Sequence, residues 1–254
     1  MTENPAPSYP ILVDAAPQPS ASRGLWLVKW LLLVPHVVVL LFLWVAFLLV
    51  TVIAFFAILF TARYPRGLFD FNVGVLRWTW RVSYYGYSVL GTDRYPPFTL
   101  ADVPDYPAHL TVAYPERLSR GLIFVKWLLA VPHLLVLSIF VGGALWLGDS
   151  TGADDAWDGG ANSVGLIALL VLIAAVVLLF TGRYPQPVYD FVLGMNRWAQ
   201  RVAVYTGLMT DTYPPMRLDQ GGTDPGRQPA PRSPLAPSTA PVVLPPSAPP
   251  APTG

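Results

Sequence analysis

The chain has 254 residues, 54% of them hydrophobic and only 12% charged, with a formal net charge of +1 and no cysteine. Soluble domains carry about 25% charged residues, so too little charge is present here for a polar skin around a core of this size. The lack of cysteine excludes disulfides, thiolate metal sites, thiol catalysis and acylated-cysteine anchoring.

Residues 1–22 are Pro-rich and polar, without the basic start and short apolar stretch of a cleaved signal. The first apolar run, Leu25 to Phe60, is interrupted only by Lys29, Pro35, His36 and Thr51. A single helix over 24–61 would be about 57 Å long, against a hydrocarbon core of about 30 Å. Two arrangements relieve that excess: a short interfacial helix followed by one span, or a tight hairpin turning near Trp44-Val45. Next, Asp70, Gly74, Arg77 and Arg81 share one helical face, with Phe71, Val75, Trp78 and Val82 opposite. A helix so rich in Trp, Tyr and Arg is expected to lie in the membrane interface. Tyr95-Pro96-Pro97 ends it, and Phe98 to Ala101 and His109 to Ala113 read as short strands.

The second apolar run, Leu122 to Leu147, is broken by Lys126, Pro132 and His133, and the third covers Val164 to Phe180. Between them, Gly148 to Ser163 holds Asp149, Asp154, Asp155 and Asp158 and no basic residue, a polar loop that divides two spans. A second interfacial helix carries Asp190, Gly194, Arg197 and Arg201; Met216 to Leu218 and Ile11 to Val13 would complete a small cytoplasmic sheet. Residues 220–254 are Pro, Ala and Ser with little to pack, and are expected to be disordered.

Laid against itself, the chain is a duplication. Val28-Lys29-Trp30-Leu31-Leu32 with Val34-Pro35-His36 recurs as Val125-Lys126-Trp127-Leu128-Leu129 with Val131-Pro132-His133. Phe60-Thr61 with Arg63-Tyr64-Pro65 recurs as Phe180-Thr181 with Arg183-Tyr184-Pro185, and Asp70-Phe71, Gly74 and Arg77-Trp78 as Asp190-Phe191, Gly194 and Arg197-Trp198. Asp93 with Tyr95-Pro96-Pro97 recurs as Asp211 with Tyr213-Pro214-Pro215. The repeats occupy 23–101 and 120–219, joined by a linker over 102–119. If each repeat forms a hairpin, all 16 Lys and Arg residues fall on one side of a bilayer and the acidic loop on the other. The positive-inside bias therefore favours two hairpins with about four spans, both termini cytoplasmic.

His36 and His133 follow prolines at equivalent places. They could meet across a pseudo-twofold axis and ligate haem or a metal, or they could satisfy carbonyls freed by Pro35 and Pro132. Two histidines without a third ligand or a charged partner favour the second role. Lys29 and Lys126, near the helix starts, are expected to snorkel to headgroups. Arg63, Arg77, Arg81, Arg183, Arg197 and Arg201 form a duplicated basic rim, either headgroup-binding forks or plain anchors, with Asp70 and Asp190 as their expected partners. No phosphate-binding Gly loop, zinc signature or serine elbow is present, and the acidic loop misses EF-hand spacing. The residues thus point away from an enzyme, from a resident cofactor or metal, and from nucleic acid as a partner.

These duplicated blocks resemble the bacterial integral membrane family known as domain of unknown function 4389, over about residues 9–218 in two copies. The resemblance implies an all-α, multi-span protein of the bacterial inner membrane and brings with it no activity, substrate or catalytic residue. The expectation is a non-enzymatic scaffold or a subunit that binds lipids, or a protein partner through its cytoplasmic face or tail. The alternatives are a small transporter or channel component and a bis-histidine haem protein.

Overall fold

A computed structural model of the chain describes residues 9–16, 22, 24–141, 166–182, 184–219 and 221–225. The expected acidic loop at 148–163, Arg183 and most of both termini lie outside the described residues. Five helices and one two-stranded ribbon make up the architecture: β1 (Ile11–Ala15), α1 (Trp26–Thr61), α2 (Arg66–Tyr85), β2 (Ala108–Val112), α3 (Leu122–Val141), α4 (Leu166–Thr181) and α5 (Gln186–Thr206).

The expected turn near Trp44-Val45 is not there. α1 runs unbroken for 36 residues, about 54 Å. Residues 41–56 contain no Gly or Pro to reverse the chain, so a turn would leave backbone groups unpaired among apolar side chains, whereas a helix pairs them all. In the second repeat, α3 repeats the first half of α1 and α4 the second half. The two-hairpin arrangement therefore does not hold for the first repeat.

Pro35 and Pro132 are accommodated inside α1 and α3. The Tyr95 hydroxyl donates to the Leu32 carbonyl at 3.1 Å, and the Tyr213 hydroxyl to the Leu129 carbonyl at 3.2 Å, each three residues before a proline. Tyrosines from the Tyr-Pro-Pro motifs thus brace the turns that hold these prolines.

α2 and α5 form a middle layer instead of lying at a surface. One face of α2, with Asn72, Trp78, Val82 and Tyr85, meets α1; the opposite face, with Arg77 and Tyr84, meets the ribbon. α5 repeats this between α3–α4 and β1. Gly74 is glycine because a Cβ there would stand 2.8 Å from the Leu100 Cβ.

β1 and β2 pair antiparallel with Val13 opposite Leu110. Ile11, Val13, Ala15, Ala108, Leu110 and Val112 point into the core, and Leu12, Asp14, His109 and Thr111 point away. Phe98 to Ala101 and Met216 to Leu218 are not strands: Arg81 donates to the Ala101 carbonyl, and Leu100 and Leu218 pack over Gly74 and Gly194 of the middle layer. The three layers end in unlike surfaces: a largely polar ribbon face on one side and the apolar flanks of α1, α3 and α4 on the other.

Both ends of α1 are fastened to one segment, residues 86–121. Near its start Lys29 meets Thr92 and Asp93, and at its end the Leu118 N–H donates to the Ala62 carbonyl at 2.9 Å. That segment exposes Arg94, Asp102, Asp105, Glu116 and Arg117.

The C-terminal segment is also part of the fold. Residues 221–225 run beside β1, where Ala15 N–H donates to the Gly222 carbonyl at 2.9 Å and Asp224 is fully buried. The expectation of disorder from 220 onward fails at these residues, because the Asp224 carboxylate neutralises buried arginines.

Candidate functional site

Each repeat buries the same polar cluster, assembled from the start of an apolar helix, the middle-layer helix and the chain that follows it. Lys29 is 2% exposed. Its ammonium donates to the Thr92 carbonyl at 2.7 Å, pairs with Asp93 at 3.1 Å and stands 4.6 Å from the Tyr85 ring centre. Lys126 is fully buried, with Thr210 at 2.9 Å, Asp211 at 2.7 Å and the Tyr205 ring at 5.6 Å. Neither lysine snorkels, because an aspartate reaches in to meet it. Burial by itself raises the Asp93 carboxyl, but the Ser22 N–H and the Lys29 ammonium outweigh it and hold the group below the ordinary carboxylate range. The Ser119 N–H repeats the Ser22 contact on Asp211 at 2.7 Å.

Further along, His36 Nδ1 accepts the Trp78 indole N–H at 3.1 Å, and His133 Nδ1 accepts that of Trp198 at 3.0 Å. The His36 ring stacks on Phe98, 4.0 Å between centres, and Tyr95 and Tyr213 flank the two imidazoles. With Nδ1 as acceptor, the neutral ring carries its proton on Nε2, which in both cases is buried and has no hydrogen-bond partner among the described residues. A metal or haem iron bound at Nε2 would move that proton to Nδ1, where it would face the indole donor. This arrangement does not suit axial ligation, and each imidazole sits within its own repeat. Among the described residues no group of three or more His, Asp or Glu side chains could hold a metal ion.

Trp78→Phe keeps an aromatic ring but removes the indole N–H and the volume of the second ring, leaving a buried acceptor unpaired at a cost of about 1–3 kcal/mol in addition to the cavity it opens. The expected result is a lower melting temperature in detergent, partly restored by adding His36→Leu, which removes the acceptor as well. A Trp78→Phe protein that melts like the parent would show that the bond contributes nothing.

The arginines divide into two groups. Arg77 Nε donates to the Leu110 carbonyl at 3.0 Å and Arg197 Nε to the Val13 carbonyl at 2.8 Å, so the repeated arginines grip the paired central residues of the ribbon. Arg81 donates to the Thr99 and Ala101 carbonyls, while Arg201 meets the Asp219 carboxylate at 2.6 Å and both Asp224 oxygens at 3.0 Å. Arg81, Arg197 and Arg201 are buried. Their donors are directed at carbonyls and carboxylates inside the protein instead of at headgroups, and Arg77 likewise grips a strand. Arg63 is exposed at the end of α1, and its counterpart Arg183 lies outside the described residues. Asp70 pairs with Arg66 at 3.6 Å, and Asp190 accepts from Gln186 at 2.9 Å, so neither serves the arginines expected for it.

The family model described as Domain of unknown function (DUF4389) matches residues 23–99 and 163–217, just over half of the chain. The chain belongs to this family. Its two matched regions carry the two DUF4389 copies, and each contributes its own aspartate, tryptophan and arginine pair to the clusters above. The DUF4389 match in the second copy begins after His133, so the first apolar helix of that copy rests on the internal repeat. No curated protein and no solved structure is matched by this chain.

Sequence reasoning identified the lysines, histidines and arginines but not their partners. The signal was present: Asp93, Trp78 and Tyr95 recur in the same repeated blocks as Lys29 and His36. Co-recurrence in both copies marks side chains that meet in each.

Proposed function

We propose that the chain is a membrane-embedded protein without catalytic activity, whose ribbon-side body acts as a scaffold for lipid or protein partners. One observation carries this reading, the contrast between the two outer surfaces. In the most apolar stretch of α1, with mean hydropathy 3.1, only 22% is buried, and Leu31, Leu41, Phe42, Leu48, Leu49 and Phe60 stand exposed. The core helix of a soluble protein would hide these residues, and an exposed apolar surface of this extent calls for lipid or another protein. Lys29, His36 and Thr51 of α1 and Lys126 and His133 of α3, in contrast, face inward, and each makes at least one hydrogen bond there. Such a polarity favours structural polar clusters over a transport path.

The fastening of both α1 ends to residues 86–121 favours an in-plane arrangement over a crossing. Were α1 to cross a bilayer, that irregular and charged segment would have to run through hydrocarbon beside it, which lipid does not tolerate. α1 then lies along one leaflet with its paired stripe turned toward the body. Both its ends stay on one side, as the charge distribution also favours.

The test uses alkaline extraction and single cysteines introduced into this cysteine-free chain. The protein is expected to stay with membranes at high pH and to leave them only in detergent. Arg94→Cys and Glu116→Cys, near opposite ends of α1, are expected to label from the same side. Recovery as a detergent-free monomer would overturn the embedding, and labelling from opposite sides would overturn the in-plane arrangement.

A further inference from the structure

The end of α1 and the approach to α3 enclose an open recess of about 640 Å³ lined by Thr61, Ala62, Arg63, Arg117 and Arg120. Its two walls are fastened by the backbone bond from Leu118 N–H to the Ala62 carbonyl, and Arg120 is fixed by donating to the Phe60 carbonyl at 2.9 Å. Ala62 closes the helix in the left-handed conformation, its N–H on the Ile58 carbonyl at 2.7 Å, which turns the chain so that Arg63 joins the rim. Among the described residues no carboxylate lines the recess. Arg63 and Arg117 form no ion pair among the described residues, unlike the nearby Arg66, which has Asp70.

Three guanidinium groups gathered at one recess repel one another, and a bound anion relieves that repulsion. Guanidinium forks match the oxygens of a phosphate group. The apolar surroundings narrow the source. Phe60, 73% exposed, directly precedes the recess, and Phe124, 59% exposed, stands in the first turn of α3 just beyond Arg120. A phosphate at the arginines and hydrocarbon against these rings is the anatomy of an anionic phospholipid at an interface.

We propose that Arg63, Arg117 and Arg120 form a binding site for the phosphate of an anionic phospholipid at the rim of the apolar layer. This rests on the membrane-embedded reading, since the acyl chains need the exposed flanks of α1 and α3. It also moves the headgroup contact away from the arginines of the middle layer, which serve the ribbon.

The experiment titrates the full-length protein, purified in a non-ionic detergent, with fluorescent phosphatidylglycerol. The double variant Arg63→Gln/Arg117→Gln leaves the structural bond of Arg120 intact and is expected to bind roughly tenfold more weakly or worse. Arg66→Gln, outside the recess, is expected to bind like the parent. Equal binding by the parent and the double variant would overturn the proposal. Inorganic phosphate is the second arm: competition only at a large excess supports a lipid site, whereas displacement at concentrations matching the lipid would overturn the lipid assignment in favour of a free-anion site. Alkaline extraction of the same preparations reports on embedding separately, so loss of the lipid site and loss of the membrane reading give different results.

Discussion

Replacing Asp224 with alanine is expected to destabilise the protein by about 3–5 kcal/mol, the cost of leaving buried cations without their partner. Asp224 is fully buried, receives Arg201 Nη2 on both carboxylate oxygens at 3.0 Å and lies 3.5 Å from Arg197 Nε. It also accepts the Val13 N–H at 3.0 Å, and its own N–H donates to Asp14 Oδ1 at 2.7 Å, so it ties the last described residues to the first strand. Asp219 continues to serve Arg201, but Arg197 loses the only carboxylate in ion-pair range of it among the described residues. Loss of Asp224 should therefore loosen β1 before it loosens α2. The readouts are thermal unfolding in detergent and hydrogen exchange at Val13 and Ala15. A chain shortened to end at Asp219 should melt like the alanine variant. If the chain ending at Asp219 keeps the parent's melting temperature, the clamp does not contribute to the fold.

The second large effect is expected at the paired lysines. Asp93→Asn should cost about 3–5 kcal/mol, because Lys29 is left charged and enclosed on the inner face of α1. Asp211→Asn should cost less: the Asp211 side chain is 32% exposed against 14% for Asp93, so solvent screens the loss more effectively. The combined replacement Lys29→Met/Asp93→Leu should recover most of the loss, since an apolar pair of similar volume avoids the desolvation cost of the ions. pH adds an independent check. The folded Asp93 carboxyl lies below its unfolded value of about 3.9, so its contribution is complete above that value and vanishes as pH falls through the folded one. The stability gap between the parent and Asp93→Asn should therefore be constant near neutrality and close in acid. A gap that persists unchanged in acid would mean that the ion pair is not its source.

The two predictions share a physical origin. In each repeat a cation is enclosed by the fold and is met by a carboxylate distant in sequence: 64 residues separate Lys29 from Asp93, and 23 separate Arg201 from Asp224. Polar clusters of this kind fix register in a protein whose remaining contacts are interchangeable apolar ones. Leucine and valine side chains on α1 could slide along α2 by a turn at little cost, whereas Lys29 and His36 have their partners at only one position.

Several features were legible from residues alone. The duplication, the apolar helices, the helical character around Asp70 to Arg81 and Asp190 to Arg201, and strand propensity at Ile11 to Val13 and His109 to Ala113 all follow from local pattern, and the structure contains each of them. The ambiguity lay in what faces a polar stripe. On α2 the spacing of Arg77 and Arg81 is the same whether the arginines meet headgroups or strand carbonyls, because periodicity records a shared face and not the neighbour opposite it. The same holds for Lys29, which at its place in the run can reach outward to water or inward to Asp93.

By itself the sequence determined the repeat, the apolar surfaces and the set of side chains that recur in both copies, since these depend on composition and spacing along one helix or strand. Only the tertiary structure decided that α1 continues where a turn was expected, that α2 and α5 form the middle of three layers, and that Asp224 reaches back to Val13, 211 residues away. Each of these depends on which surfaces come together in space. The energy of such contacts lies in the pairing of distant groups and leaves no mark on the local pattern of either one.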